Sequence, residues 1–248
     1  MLFSIITVCY NSAKTIRRTF DSVLAQDFDD YEYIVVDGAS KDNTVEIIKE
    51  YEPKFGGRMH WISEPDGGIY DAMNKGVAMA RGEYLNMMNS DDFFEFDALS
   101  FVAEAREKES GAGVYYGISR LIEPDGQESS LIRLHHSHLN EDTLQHQSCF
   151  FRADLHRKYG KYDTQYRIAA DYDFCLKLLN AGEKFCPVDR VLANFSLSGV
   201  SSVQYINMVR EVVRLRYEYH HISLMEYKLK VVLAFLRFYA KGFIRRYF

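Results

Sequence analysis

Cysteine is scarce: the 248-residue chain holds four, Cys9, Cys149, Cys175 and Cys186, each standing alone with no CxxC pair and no His-Cys cluster at zinc spacing. That excludes a disulfide scaffold and a structural zinc site, and fits a reducing compartment. With 4 Pro and 15 Gly the chain is neither collagen-like nor of low complexity. No apolar run reaches the ~18 residues that span a bilayer. The apolar start Met1-Leu-Phe-Ser-Ile-Ile-Thr-Val has no basic flank or cleavage site, so it reads as a first strand rather than a signal peptide. GxGxxG and GxxxxGK[ST] loops are both missing, which argues against NAD enzymes and P-loop NTPases. A continuous basic track is missing too. The net charge is −5, and from Lys228 to Phe248 there are six Lys/Arg and no acid, so the body is acidic and nucleic acid is not an expected partner.

What is present is apolar surface, 47% of residues, enough for one large α/β domain or two small ones. Strand-length apolar runs alternate with helical periods: Phe3–Cys9, Lys14–Ala25, Tyr33–Val36, Val45–Tyr51, His60–Ile62, Ile69–Ala80 and Glu83–Met88. This β-α-β-α-β-α-β order predicts a Rossmann-like unit with helices on both faces of a parallel sheet. Beyond a helix at Ala98–Glu109, strands are expected at Val114–Ile122 and Ser130–Leu134 around a Glu123-Pro-Asp-Gly126 turn. A helix at Ala170–Asn180, a strand at Phe185–Phe195 and continuous helix from Gln204 to the end complete the pattern.

Ligands of open α/β sheets bind at the carboxyl ends of the strands, where this sequence places Tyr10-Asn11, Asp37-Gly38 and Asn89-Ser90-Asp91-Asp92. Two adjacent carboxylates after an apolar strand suit a hard cation, Mg²⁺ or Mn²⁺, that shares its shell with substrate phosphates; an exposed acidic turn is the simpler alternative. Asp37 is placed to accept from a base N–H or a ribose hydroxyl, and Asp42 to cap the helix after it. Asp171-Tyr-Asp173 opens a helix, where a carboxylate either caps the first turn or serves as a general base. His146-Gln147 precedes the apolar run Cys149-Phe-Phe151, with His146 a candidate phosphate or metal contact and Gln147 expected to satisfy backbone groups. His135, His136 and His138 read as an exposed polar loop rather than a metal cluster.

Taken in order, Ser4–Asn11, Tyr33–Thr44, Glu64–Gly76, Ala80–Leu85, Asn89–Asp92 and Asp171–Leu178 resemble glycosyltransferase family 2, sugar-nucleotide-dependent inverting enzymes of GT-A fold. The Glu-Pro-Asp-Gly-Gly-Ile-Tyr-Asp-Ala-Met-Asn-Lys-Gly stretch is most similar to bacterial polysaccharide-assembly members of the colanic-acid type. The resemblance implies a Rossmann-like nucleotide-binding half with a mixed central sheet, followed by C-terminal helices. The domain expectation is a catalytic unit over residues 1–200, divided into a donor half (1–110) and an acceptor-side half (111–200), with a helical extension over 204–248. Tyr10 and the backbone near Val8 would meet the base, Asp37 the base or ribose, and Asp66 and Asp71 the base or sugar. Asp91 and Asp92 match the metal motif, with Asp91 also on the donor, and Asp171 matches the catalytic base.

Three positions depart from the family pattern: Asn89 stands where many relatives carry Asp, Ala170 where a Glu precedes the base, and Met73 where an Arg is common. These keep open a nucleotide-sugar-binding module that has lost turnover. The partners implied are a UDP-, GDP- or dTDP-sugar and a glycan or polyprenyl-linked saccharide acceptor. Within Lys228–Phe248 a basic stripe opposes Leu229, Val232, Leu233, Leu236, Tyr239 and Phe243. That pattern suits an anionic membrane surface, and so a cytoplasmic enzyme peripheral to the inner face of the cytoplasmic membrane. Docking on the catalytic body or on a second protomer, as a homo-oligomer, is the alternative.

Overall fold

The computed structural model describes residues 1–197 and 205–233. In chain order the elements are β1 (Phe3–Cys9), α1 (Ile16–Leu24), β2 (Tyr31–Asp37), α2 (Thr44–Tyr51), β3 (Met59–Ser63), α3 (Ile69–Met79), β4 (Tyr84–Met87), β5 (Phe93–Phe94), α4 (Ala98–Lys108), β6 (Val114–Ile122), β7 (Glu128–Ile132), β8 (Cys149–Arg152), α5 (Asp154–Tyr159), α6 (Ala170–Asn180), β9 (Phe185–Ser196) and α7 (Tyr205–Glu218). A last helix, α8, covers 224–233.

β3-β2-β1-β4 are mutually parallel, and β1 and β2 are buried along their whole length. Alternation within β1 explains the continuous apolar run: Phe3 and Ile5 enter a core with Ile16 and Phe20 of α1, while Ile6 and Val8 enter a second core with Tyr70 and Met73 of α3. The sheet continues through β8-β6-β9-β5, with β4–β8, β8–β6 and β9–β5 antiparallel and β6–β9 parallel, so it is mixed as expected.

Several expectations are adjusted. The Glu123–Gly126 turn forms, closed by Glu123 N–H to Gln127 O at 2.8 Å, but its second strand, β7, starts at Glu128, nearer the turn than expected. β8 becomes an internal strand although it has only four residues. Asn43 rather than Asp42 flanks α2, while Asp42 still accepts the Thr44 N–H at 3.0 Å and ties the Ala13 N–H at 3.1 Å. The helix expected from Gln204 onward is interrupted after Glu218, where His220 takes a left-handed φ of 60°. A capping box restarts it: Glu226 Oε2 accepts from the Ser223 N–H at 2.8 Å and Ser223 Oγ accepts from the Glu226 N–H at 3.2 Å. On α8, Met225, Leu229 and Val232 are exposed. The rest of the basic segment, from residue 234, lies outside the described residues. Among those described, no helix is long and apolar enough to cross a membrane.

Gly82 fixes how β1 meets the turn before β4. A Cβ there would lie 2.5 Å from Ser4 N and 2.6 Å from Phe3 C, both backbone atoms that cannot swing aside. Gly82→Ala should therefore cost about 3 kcal/mol, a Tm drop on the order of 6–12 °C in thermal denaturation. A drop under about 2 °C would show that the strands part without strain.

Candidate active site

At the ends of β1 and β2 the chain builds a shallow, acid-lined platform. Tyr10 is 57% exposed, and Asn11 beside it has a left-handed φ of 52°. Asn11 is held there by its N–H to Ser40 Oγ and by its Oδ1 accepting from the Lys41 N–H, both at 2.8 Å. Gly38 lies between Tyr10 and Asp66; a Cβ on it would come within 2.5 Å of Asp66 Oδ2 and 3.4 Å of the Tyr10 ring. Asp37, fully buried, accepts from the Ser40 N–H (2.9 Å), Ser40 Oγ and Ser63 Oγ (2.7 Å). Asp66 accepts the Gly68 N–H and Asp71 the Gly67 N–H, each at 2.9 Å, so the two acids close a small loop at the start of α3. The Val8 side chain is buried in the core, which leaves only its backbone to meet a ligand. Asp37, expected at the base or ribose, has no exposed surface and both oxygens bonded to Ser40 and Ser63, so it braces the platform from beneath. The exposed Tyr10 ring and the Asp66 carboxylate are what is suited to stack a planar base and accept its N–H or a ribose hydroxyl.

Asp91 and Asp92 follow β4. Asp92 is fully buried, with Oδ1 accepting the Ser196 N–H at 2.8 Å and Oδ2 facing Asn89 Nδ2 at 3.3 Å. Burial, and then the charge of Asp91, push its carboxyl up to about 8; burial raises Asp91 as well. Arg18, whose charge acts on Asp91, donates Nη2 to the Asp91 carbonyl at 2.9 Å rather than to the carboxylate. Asn89 Oδ1, alongside, is buried without a partner. Two under-compensated carboxylates and an orphaned amide oxygen are hard donors that fit a divalent cation. Among the described residues no group of three His, Cys, Asp or Glu surrounds such an ion, so the remaining ligands would come from substrate phosphates and water.

Asp171 sits in the first turn of α6 with its side chain 15% exposed. Its Oδ2 accepts from His146 Nδ1 at 3.0 Å and its Oδ1 from the Tyr70 hydroxyl at 2.8 Å. His146 Nε2 in turn lies 3.2 Å from Asn89 Nδ2. An unbroken line of contacts therefore runs Asp92–Asn89–His146–Asp171–Tyr70 and crosses from one half of the sheet to the other. With Asn89 donating, His146 carries its proton on Nδ1; a protonated ring needs the Asn89 amide turned over so that Oδ1 accepts. Burial alone would raise the Asp171 carboxyl and lower His146, but their mutual hydrogen bond and charge reverse both, holding Asp171 below and His146 above the usual values. The loop before Asp171 is clamped from α7: the Glu211 carboxylate accepts the N–H groups of Arg167, Ile168 and Ala169 at 2.9–3.1 Å.

The expected residues thus fall into three neighbouring groups: Tyr10, Asp37, Asp66 and Asp71; Asp91 and Asp92; and His146 with Asp171. Both His146 ring nitrogens already face protein groups, which makes it an orienting partner of Asp171 rather than a free ligand. Gln147 does not satisfy backbone groups as expected. Its side-chain amide is buried with neither atom bonded, and only its carbonyl is used, by Asn86 Nδ2 at 2.9 Å. Met73, at the common Arg position, is core. His136 packs on Phe185 and bonds Tyr116, so that histidine run is partly structural. Sequence reasoning missed Tyr70 and Glu211. For Tyr70 a signal existed: Tyr70 and Asn74 share an inward face of α3 at i, i+4, and Asn74 makes two bonds to the Tyr162 backbone across the same boundary.

Comparison with known proteins identifies the family of the chain and its fold. A family model described as Glycosyl transferase family 2 matches residues 4–165. An uncharacterized glycosyltransferase of Mycobacterium tuberculosis is 36% identical over 206 residues, covering 80% of this chain and 76% of its own. A PGL/p-HBAD biosynthesis glycosyltransferase of Mycobacterium bovis is 33% identical over 180 residues, 71% of this chain and 69% of its own. Among solved structures, Staphylococcus aureus TarS 1–349 in complex with UDP-GlcNAc superposes with a TM-score of 0.70 at 19% identity, over 97% of this chain and 73% of that one. The mannosyltransferase from Pyrobaculum calidifontis with GDP-Man and Mn²⁺ gives 0.69 at 17% identity, over 89% and 64%. The fold is GT-A, and the chain belongs to glycosyltransferase family 2.

Proposed function

We propose that this glycosyltransferase moves a sugar, with inversion, from a nucleotide-sugar donor to a hydroxyl of a glycan or lipid-linked saccharide in surface polysaccharide or glycolipid synthesis. The observation that carries the reading is the line Asp92–Asn89–His146–Asp171, which sets a paired-carboxylate site and a general base from different halves of the chain in one continuous arrangement. Tyr10 stacks the base of the donor, Asp66 orients it, Asp37 braces the Ser40 and Ser63 turns beneath them, and Asp71 holds the Asp66 loop. Asp91 meets the ribose or the phosphates. Asp171, ionised at neutral pH, takes the proton from the acceptor hydroxyl as that oxygen attacks the anomeric carbon from the face opposite the leaving diphosphate, and one displacement inverts the centre. His146 holds the carboxylate ionised. Asp91, Asp92 and Asn89 Oδ1 would hold Mn²⁺ or Mg²⁺, which would supply Lewis-acid neutralisation of the charge on a departing diphosphate. Solved neighbours bound to UDP-GlcNAc and to GDP-Man with Mn²⁺ support the donor class. The catalytic unit takes in residues 1–200, with 204–248 as a C-terminal extension. The basic segment Lys228–Phe248 supports a peripheral place on an anionic membrane beside a lipid-linked acceptor.

The test is calorimetric binding and hydrolysis of a UDP-, GDP- and dTDP-sugar panel with each cation, for wild type and Asp91→Ala. One donor should bind with metal dependence and be slowly hydrolysed, and Asp91→Ala should lose both by about 100-fold. No binding of any sugar nucleotide, with or without metal, would sink the reading.

A further inference from the structure

We propose that Tyr70 is a positioning residue for Asp171, setting the carboxylate plane and linking it to the segment Asp66–Asp71 that borders the donor platform. The inference rests on the reading of Asp171 as base. Tyr70 is buried, its ring 5.8 Å from that of Tyr162, and Asn74 one turn later is bonded twice to the Tyr162 backbone, so the ring has one available path. At its end the single phenolic proton faces two acceptors, Ile168 O at 2.6 Å and Asp171 Oδ1 at 2.8 Å. A hydroxyl buried for packing alone is satisfied by the carbonyl. The second contact falls on the group that must aim at the acceptor.

With His146 on Oδ2 and Tyr70 on Oδ1, rotation of the carboxylate is blocked from both sides, and the lone pairs left over serve the small opening through which Asp171 is 15% exposed. Backbone continuity supplies the link to the donor. Asp66 and Asp71 are bonded to Gly68 and Gly67, Asp66 and Tyr10 both border Gly38, and Tyr70 is one residue before Asp71 in the first turn of α3. A base seated on Tyr10 and Asp66 therefore steadies the same short stretch that aims Asp171. Burial keeps the Tyr70 hydroxyl protonated, so it donates at every working pH. The other titratable groups acting on or acted on by Asp171 are His146, Cys149, Cys175 and Tyr162, and burial raises both thiols and the Tyr162 phenol.

Tyr70→Phe keeps the ring and deletes the bond. With donor affinity unchanged, and Tm lowered by roughly 2–4 °C for the freed Ile168 carbonyl, transfer kcat should fall about tenfold. Because the lost hydrogen bond favoured ionised Asp171, the acid limb of the pH–kcat profile should move to higher pH by about 0.5–1 unit. Tyr162→Phe is the packing control: its hydroxyl is buried in the same cluster with no partner, so its removal should move neither quantity. An unmoved acid limb and wild-type kcat in Tyr70→Phe, beside an Asp171→Asn variant that has lost turnover, overturns the Tyr70 role alone. Full turnover in Asp171→Asn overturns the base assignment itself.

Discussion

Asp171→Asn should lower sugar transfer by about 10²–10⁴-fold while leaving donor affinity within about twofold. The substitution is nearly isosteric, and the amide oxygen can still accept from Tyr70, so α6 and its preceding loop keep their places. What disappears is the ability to take the acceptor proton. An amide cannot do so near neutral pH, whereas the native carboxyl, held below its usual range by His146 and Tyr70 against the opposing effect of burial, is fully ionised there. Initial-rate measurements at saturating donor, with donor binding measured separately, check this. Loss of binding in step with turnover would mean that Asp171 holds substrate rather than a proton.

Asp92→Asn should act in opposite directions on binding and on stability. Metal-dependent donor binding should weaken by about 100-fold, since a charge is removed from the cation site. Stability without metal should rise at alkaline pH. The sign follows from proton linkage: Asp92 is pushed up to about 8 in the fold by burial and by Asp91, above the ~4 of an unfolded chain, so the folded state holds that proton more tightly. The metal-free protein therefore loses stability as pH rises from about 4 through about 8, and a neutral side chain removes that loss. At pH 8.5 the variant should melt on the order of 5 °C above wild type without metal. Added Mn²⁺ should raise the wild-type Tm and leave the variant unmoved. A wild-type Tm independent of both pH and metal would contradict the assignment of Asp92 to the cation site.

The donor half was legible because its signals are local. Whole-strand apolar runs in β1 and β2, helical periods between them, and polar residues at strand ends needed no distant partner to be read. Asp37, Asp91 and Asp92 were singled out that way, and Asp171 by its place at the start of α6. β8 was not assigned as a strand because four residues carry too little periodicity, and its identity comes from pairing Asn86 with Phe150 far along the chain. Tyr70 and Glu211 were hidden for the same reason: their contacts at and before Asp171 lie 101 and 42–44 residues away in sequence, and nothing beside them announces the partner. His146 was legible as a residue, but its place between Asn89 and Asp171 was not.

The clamp from Glu211 has a consequence for how the molecule comes into being on the ribosome. Synthesis delivers the platform, the paired acids and every strand of the sheet by residue 196, and Asp171 among them. The carboxylate that gathers the amides of residues 167–169 arrives only with residue 211, and the ribosomal tunnel withholds it longer still. A nascent chain thus has the strands around Tyr10 and Asp91 synthesised while the loop before Asp171 is unfastened. Fastening of that loop waits on the emergence of α7.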